Sequence, residues 1–166
     1  YEEITDRLET EIAIYLSNVS AGELSDKSSS ELRSMLSTTN DLERIGDIYF
    51  EIAKAIEKKS ETKLWFDQKQ RDNLNDLMDE VEVAFEQMIK NLNGSYADID
   101  MDQARVMEVA INELRNKVRK KHLKSMEKKE YNAQSGLVYS NIFSSIERVG
   151  DHIINVSEAA SGINLN

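Results

Sequence analysis

Not one proline interrupts the 166 residues of this chain. Proline lacks a backbone donor and clashes with the preceding turn, so a chain without it can run long helices unbroken. The apolar residues use that freedom. Ile4, Leu8, Ile12, Tyr15 and Val19 recur at helical spacing and predict a helix over residues 2–20. The polar stretch from Ser20 to Ser30 breaks the pattern and offers turn and capping residues. A second helix is predicted over 31–59, striped by Leu32, Met35, Leu42, Ile45, Tyr49, Ile52 and Ile56. After a linker at 60–66, Leu74, Leu77, Val81, Phe85, Met88 and Leu92 stripe a third helix over 67–92. Asn93-Gly94-Ser95 stops it, with Gly94 suited to the left-handed cap. Asp100 or Asp102 can cap a fourth helix bearing Met107, Ile111, Leu114 and Val118. A fifth, over 131–161, carries Val138, Ile142, Ile146, Val149, Ile153 and Val156. No segment alternates with the period of a strand. The expected fold is all-α, an antiparallel helical bundle of five helices.

Charged residues make up 31% of the chain and aromatics 7%, a balance that suits helices with one apolar stripe and a broad solvated face. The absence of cysteine excludes disulfides, thiolate catalysis and sulfur-ligated metals. A net charge of −10 repels phosphate backbones, so nucleic acid is not an expected partner. The same charge disfavours direct capture of free phosphate unless a cation intervenes. No apolar run approaches the roughly 18 residues that span a bilayer. The chain opens on Tyr1, within sequence that already reads as helix and carries no secretory signal, as expected for a piece of a longer protein.

The chain repeats itself. Leu42-Glu-Arg-Ile-Gly-Asp47 matches Ile146-Glu-Arg-Val-Gly-Asp151 at an offset of 104 residues. A looser match at an offset of 106 aligns Glu2 with Glu108, Asp6 with Asn112, Leu8 with Leu114 and Ile12 with Val118. Helix one thus pairs with helix four, and helix two with helix five. The third helix has no partner ahead of the first. The expected organisation is two pseudo-repeated three-helix units, residues 1–66 and 67–166, the first lacking its opening helix.

Each Glu-x-x-x-Asp pair sets two carboxylates one turn apart on one helical face, which destabilises a helix by a few tenths of a kcal/mol. The glycine inside it costs roughly another 1 kcal/mol relative to alanine. Acceptance of both penalties at equivalent places points to a hard cation, since oxygen-only ligands suit Fe³⁺, Mg²⁺, Mn²⁺ or Ca²⁺. The glycine can also admit a neighbouring helix. At about 100° per residue, Glu43 and Asp47 lie roughly 140–180° from the mean of their apolar stripe, and Glu147 and Asp151 are similarly displaced. Glu2 with Asp6, and Glu108 with Asn112, fall roughly 90–160° away. Any metal site is therefore expected on the surface, unlike the buried centres of ferritin-type bundles with their Glu-x-x-His motifs. Plain solvation of the acids, or salt bridges from Arg44 and Arg148 between helices, account for the same pattern without metal.

His152 follows Asp151, but its counterpart is Ile48, so it is expected on the helix flank. His122 is expected at the surface, within the basic stretch from Arg115 to Lys129. In that stretch Arg119, Lys120, Lys121 and Lys124 are candidates for docking on an anionic membrane surface or an acidic partner, or else a solvated face. No nucleophile with a base and no glycine-rich phosphate loop occurs, so the chain is not expected to be an enzyme.

Asn40-Asp-Leu-Glu-Arg-Ile-Gly-Asp47, Ser144-Ser-Ile-Glu-Arg-Val-Gly-Asp151 and Glu11-Ile-Ala-Ile-Tyr-Leu-Ser-Asn-Val-Ser20 resemble the PhoU family over nearly the whole chain. The resemblance implies two pseudo-symmetric three-helix bundles and surface motifs that hold multinuclear metal, iron or another hard divalent or trivalent cation. It also implies a non-enzymatic role in phosphate transport and phosphate signalling. The sequence is most similar to the PhoU-like domain at the C-terminus of bacterial sodium/phosphate cotransporters. That implies a cytoplasmic domain tethered at the inner face of the membrane, with a phosphate transporter as the rest of the chain or as partner, and allows a homo-oligomer. Carried over, the motif selects Glu2, Asp6, Glu43 and Asp47 in the first repeat. In the second it selects Glu108, Asn112, Glu147 and Asp151, where the neutral Asn112 departs from the pattern. A metal-free helical scaffold, or a stand-alone PhoU-type regulator, are the alternative readings.

Overall fold

The computed structural model describes residues 2–20, 22, 24–94 and 99–162. Tyr1 and Ser95, both named above, lie outside the described residues. Five helices follow in order: α1 (Glu2–Val19), α2 (Asp26–Glu61), α3 (Gln68–Asn93), α4 (Met101–Glu127) and α5 (Ala133–Ser161). Among the described residues no helix is long and apolar enough to cross a membrane.

Side chains start the helices where the orphan amides need acceptors. Ser25 accepts from the Ser28 amide, which moves the start of α2 five residues ahead of the expected position and draws half of the serine-rich stretch into helix. Asp67 and Gln70 form a reciprocal capping box at α3. Asp100, rather than Asp102, caps α4, and Asn132 caps α5. The helix ends differ from expectation. Gly94 is extended (φ −82°, ψ 175°), because its amide closes onto Lys90 and Asn91 without a left-handed turn. The left-handed positions fall instead on Gly162 (φ 72°), the C-cap of α5, and on Lys63 (φ 54°) and Lys129 (φ 56°), the last two each followed by an amide that reaches back five residues.

α5 is the hub. It packs along α2, α3 and α4, while α1 packs principally on α2 and α3 also meets α4. The core runs through Ile45, Ile48 and Ile52 of α2, Leu77, Val81 and Met88 of α3, Ile111 and Val118 of α4, and Ile142, Ile146, Val149, Ile153 and Val156 of α5. The α5 stripe is the expected one. In α2, Met35, Leu42 and Ile56 face solvent while Ser34 and Ile48 are buried.

α1 overturns its predicted stripe. Ile4, Leu8, Ile12, Tyr15 and Val19 are all exposed, between 39% and 67%, and only Leu16 is buried. Pseudo-symmetry supplies the reason. α4, the counterpart of α1, packs on both α3 and α5, whereas α1 has α2 and no described helix in the place that α3 holds.

Candidate metal centre

The close approach of α1 to α2 is set at Gly46. A Cβ there would stand 3.0 Å from Thr5 Oγ1 and 3.3 Å from its Cγ2, so glycine lets the helices touch. Thr5 Oγ1 is itself held, donating to the Glu2 carbonyl at 2.8 Å. Glu2 and Asp6 flank this contact on α1, and Asp47 flanks it on α2. One carboxylate oxygen from each of Glu2, Asp6 and Asp47 lies within 4.8 Å of the other two. These three residues are partly or fully exposed, as the helical-wheel estimate requires.

Glu43, the fourth expected residue, is not one of the three convergent groups. It sits one turn before Asp47 on the same helix. Burial first, then the hydrogen bond and charge of Asp47, hold the Glu43 carboxyl above its ordinary value; Glu9 adds to this and Arg44 opposes it. Arg44 stays on its own helix, 3.8 Å from Glu43 Oε2 and 3.4 Å from Asp47 Oδ2. With its amide turned so that the nitrogen faces the surrounding acceptors, Asn40 donates to Glu9 Oε1 at 3.1 Å. The donor set is oxygen-only, dense in negative charge and open to solvent, which fits a hard cation such as iron.

The second repeat reproduces the helix register but not the charge. A Cβ on Gly150 would stand 3.0 Å from Ile111 Cδ1 and 3.2 Å from its Cγ2. Thr5 and Ile111 are separated by the same 106 residues that align the two helices, and Glu108 comes near enough to Asp151 to act on its charge. Arg115 then changes the site. Its Nη2 donates to Glu147 Oε1 across the seam, and Nη1 donates to Asn116 at 3.0 Å. Burial first, then the charges of Glu147 and Glu108, push Asp151 up, while His152 and Arg115 pull it down. Among the described residues, no group of three ligand atoms converges in this repeat. Arg148 does not serve its own acids; it reaches Glu51 on α2 at 3.8 Å, an inter-helix bridge of the kind expected for it.

Other expected residues separate from both clusters. Arg119, Lys120, Lys121 and Lys124 are exposed along α4, with Lys121 donating to Asn73 at 3.2 Å. His122 is partly buried rather than fully exposed. It stacks on Tyr131 at 5.9 Å and meets the edges of Tyr139 and Phe143 at 5.6 and 5.7 Å. Burial lowers its pKa. His152 lies on the flank, 2.8 Å from Asp41. Sequence reasoning passed over Thr5, Glu9, Asp41 and the pairing of Arg115. The signal for two of them was available, since the offset of 106 sets Glu9 against Arg115.

A family model described as PhoU domain matches residues 1–56 and 72–160. The chain is also similar to a Thermotoga maritima protein named phosphate-specific transport system accessory protein PhoU homolog 1. The two are 30% identical over 127 residues, covering 75% of this chain and 52% of that protein. The chain thus spans about half the length of the curated relative it matches. No solved structure matches it.

Proposed function

Because the chain belongs to the PhoU family, we propose that it is a non-enzymatic regulatory domain of phosphate uptake. In this reading it lies at the cytoplasmic face of a bacterial membrane, as the tail or partner of a sodium-dependent phosphate transporter. The observation that carries the metal-dependent part is the convergence of Glu2, Asp6 and Asp47 across the α1–α2 seam. A hard cation there, iron or another, ties α1 to α2 and offsets the burial and the neighbouring carboxylate charge that raise Glu43. Regulation follows from metal- or partner-dependent change in how α1 seats on α2. The relative's name, which places it in a phosphate transport system, supports the process. The exposed row of Arg119, Lys120, Lys121 and Lys124 suits an anionic membrane surface beside a transporter.

The test compares protein purified without chelator with the double variant Glu43→Ala, Asp47→Ala. Bound iron or manganese is expected in the first and not in the second; equal metal in both overturns the metal centre. Phosphate uptake by cells carrying the same variant in the intact gene tests the regulation. Uptake that responds to phosphate starvation as in the parent overturns a role for this cluster. A metal-free scaffold is favoured by one observation, the Arg44 guanidinium already placed between Glu43 and Asp47. It expects chelator to leave the melting temperature unchanged.

A further inference from the structure

We propose that Arg115 is the resident cation of the second acidic cluster and bars metal from it, so that the two repeats carry one metal-binding cluster rather than two. The stoichiometry rests on the metal reading of the first repeat; the exclusion at the second does not.

Register carries the argument. Gly46 faces Thr5 and Gly150 faces Ile111 through contacts of the same kind and length, so equivalent positions in the two seams can be compared atom group by atom group. Residue 115 is then the place of Glu9. In the first repeat Glu9 presses its charge on Glu43. In the second, Arg115 donates to Glu147, the counterpart of Glu43. A carboxylate pair has become an ion pair between largely buried side chains, 22% and 14% exposed.

The charge follows from that exchange together with the neutral Asn112 in the place of Asp6. The first seam gathers Glu2, Asp6, Glu9, Glu43 and Asp47, with the guanidinium of Arg44 beside Glu43 and Asp47. The second gathers Glu108, Glu147 and Asp151 around Arg115, and Asn112 supplies no charge. A guanidinium keeps its proton throughout the accessible pH range and occupies carboxylate oxygens through directed hydrogen bonds, so it competes with a cation for the same lone pairs and repels it. The Nε–H of Arg115 is buried without an acceptor. That leaves the seam short of an oxygen, not of a cation. With its acids neutralised from α4, the second repeat frees Arg148 to bridge Glu51 on α2, whereas Arg44 remains beside its own acids.

The experiment uses Mn²⁺ as probe, with bound ion counted by loss of the free Mn²⁺ resonance and folding followed by helical circular dichroism. Protein with Glu43→Ala and Asp47→Ala, its first cluster disabled, is expected to bind no Mn²⁺. Adding Arg115→Glu and Asn112→Asp to it should create an Mn²⁺ site where the disabled parent has none. Asp151→Ala should abolish that site. Should the four-substitution protein fail to fold, Arg115→Gln in the disabled background replaces it, and Mn²⁺ is then expected to raise its melting temperature but not that of the parent. The proposal is overturned if the disabled parent binds Mn²⁺ through Glu147 and Asp151, or if the folded Arg115 variants gain neither binding nor thermal response. Wild-type protein without metal, together with a gain on Arg115 substitution, would sink the first-repeat reading and leave this one standing.

Discussion

Asp41 on α2 holds His152 of α5: Oδ1 lies 2.8 Å from the imidazole Nδ1 and also accepts from Asn155 Nδ2 at 3.2 Å. This contact joins the two most closely packed helices through side chains that are only 14% and 23% exposed. Asp41→Ala removes one acceptor from two donors, and a loss of about 1–2 kcal/mol is expected in urea unfolding. A double-mutant cycle with His152→Ala should give a coupling of at least about 0.5 kcal/mol. Additive single effects would show that the pair contributes nothing of its own.

The two seam glycines should respond unequally to alanine. Each substitution gains helix propensity of about 1 kcal/mol. At Gly150 the new methyl meets Ile111, which is 2% exposed and locked in the core. Overpacking there costs about 1–3 kcal/mol, so Gly150→Ala should be destabilising on balance. At Gly46 the methyl meets Thr5 on a helix with one principal neighbour, and α1 can yield. Gly46→Ala should cost less in global stability and fall instead on metal content, by widening the seam.

His122 gives a pH dependence of definite sign. Burial holds its folded-state pKa below the ordinary 6.5. As pH falls through about 6.5, the unfolded chain takes up a proton that the folded chain refuses, so stability declines, by at most about 1.4 kcal/mol per pH unit. His122→Gln should flatten that limb relative to wild type between pH 7.5 and 5. Parallel curves for the two proteins would place the titration elsewhere.

Without metal, the first cluster opposes folding. Glu43 is raised in the fold by burial first and then by Asp47, so its favourable contribution is fully present below its ordinary 4.5 and is lost as pH rises through the folded value. Asp47→Asn in chelator at neutral pH should therefore raise stability, by a few tenths of a kcal/mol for the one-turn repulsion alone. With saturating Mn²⁺ the sign should reverse, because a ligand is gone.

The exposed stripe of α1 can be tested against the buried residue beside it. Leu8→Gln should change stability by no more than about 0.5 kcal/mol. Leu16→Ala should cost about 2 kcal/mol or more. Equal losses would return the stripe to the core.

Much of this was legible in the residues alone. The freedom from proline and the three-four spacing of apolar side chains gave five helices with ends near their true places, because helix formation is governed by neighbours within a turn. The duplicated Glu-Arg-Ile/Val-Gly-Asp run placed its acids on the outer faces for the same reason. Local spacing says which side chains share a face, however, and not what stands opposite. The stripe on α1 has the periodicity of a core face and yet lies open, since burial depends on a third helix that the pattern cannot see. His122, set among lysines, is partly covered by Tyr131 from the α4–α5 turn and by Tyr139 and Phe143 of α5. The two acidic motifs are nearly identical in sequence, so the motif alone could not separate them. The partner helices do: the repeat alignment already sets Asn112 against Asp6 and Arg115 against Glu9, but only the tertiary structure brings Arg115 onto Glu147, because a site's charge is the sum over every helix that reaches it.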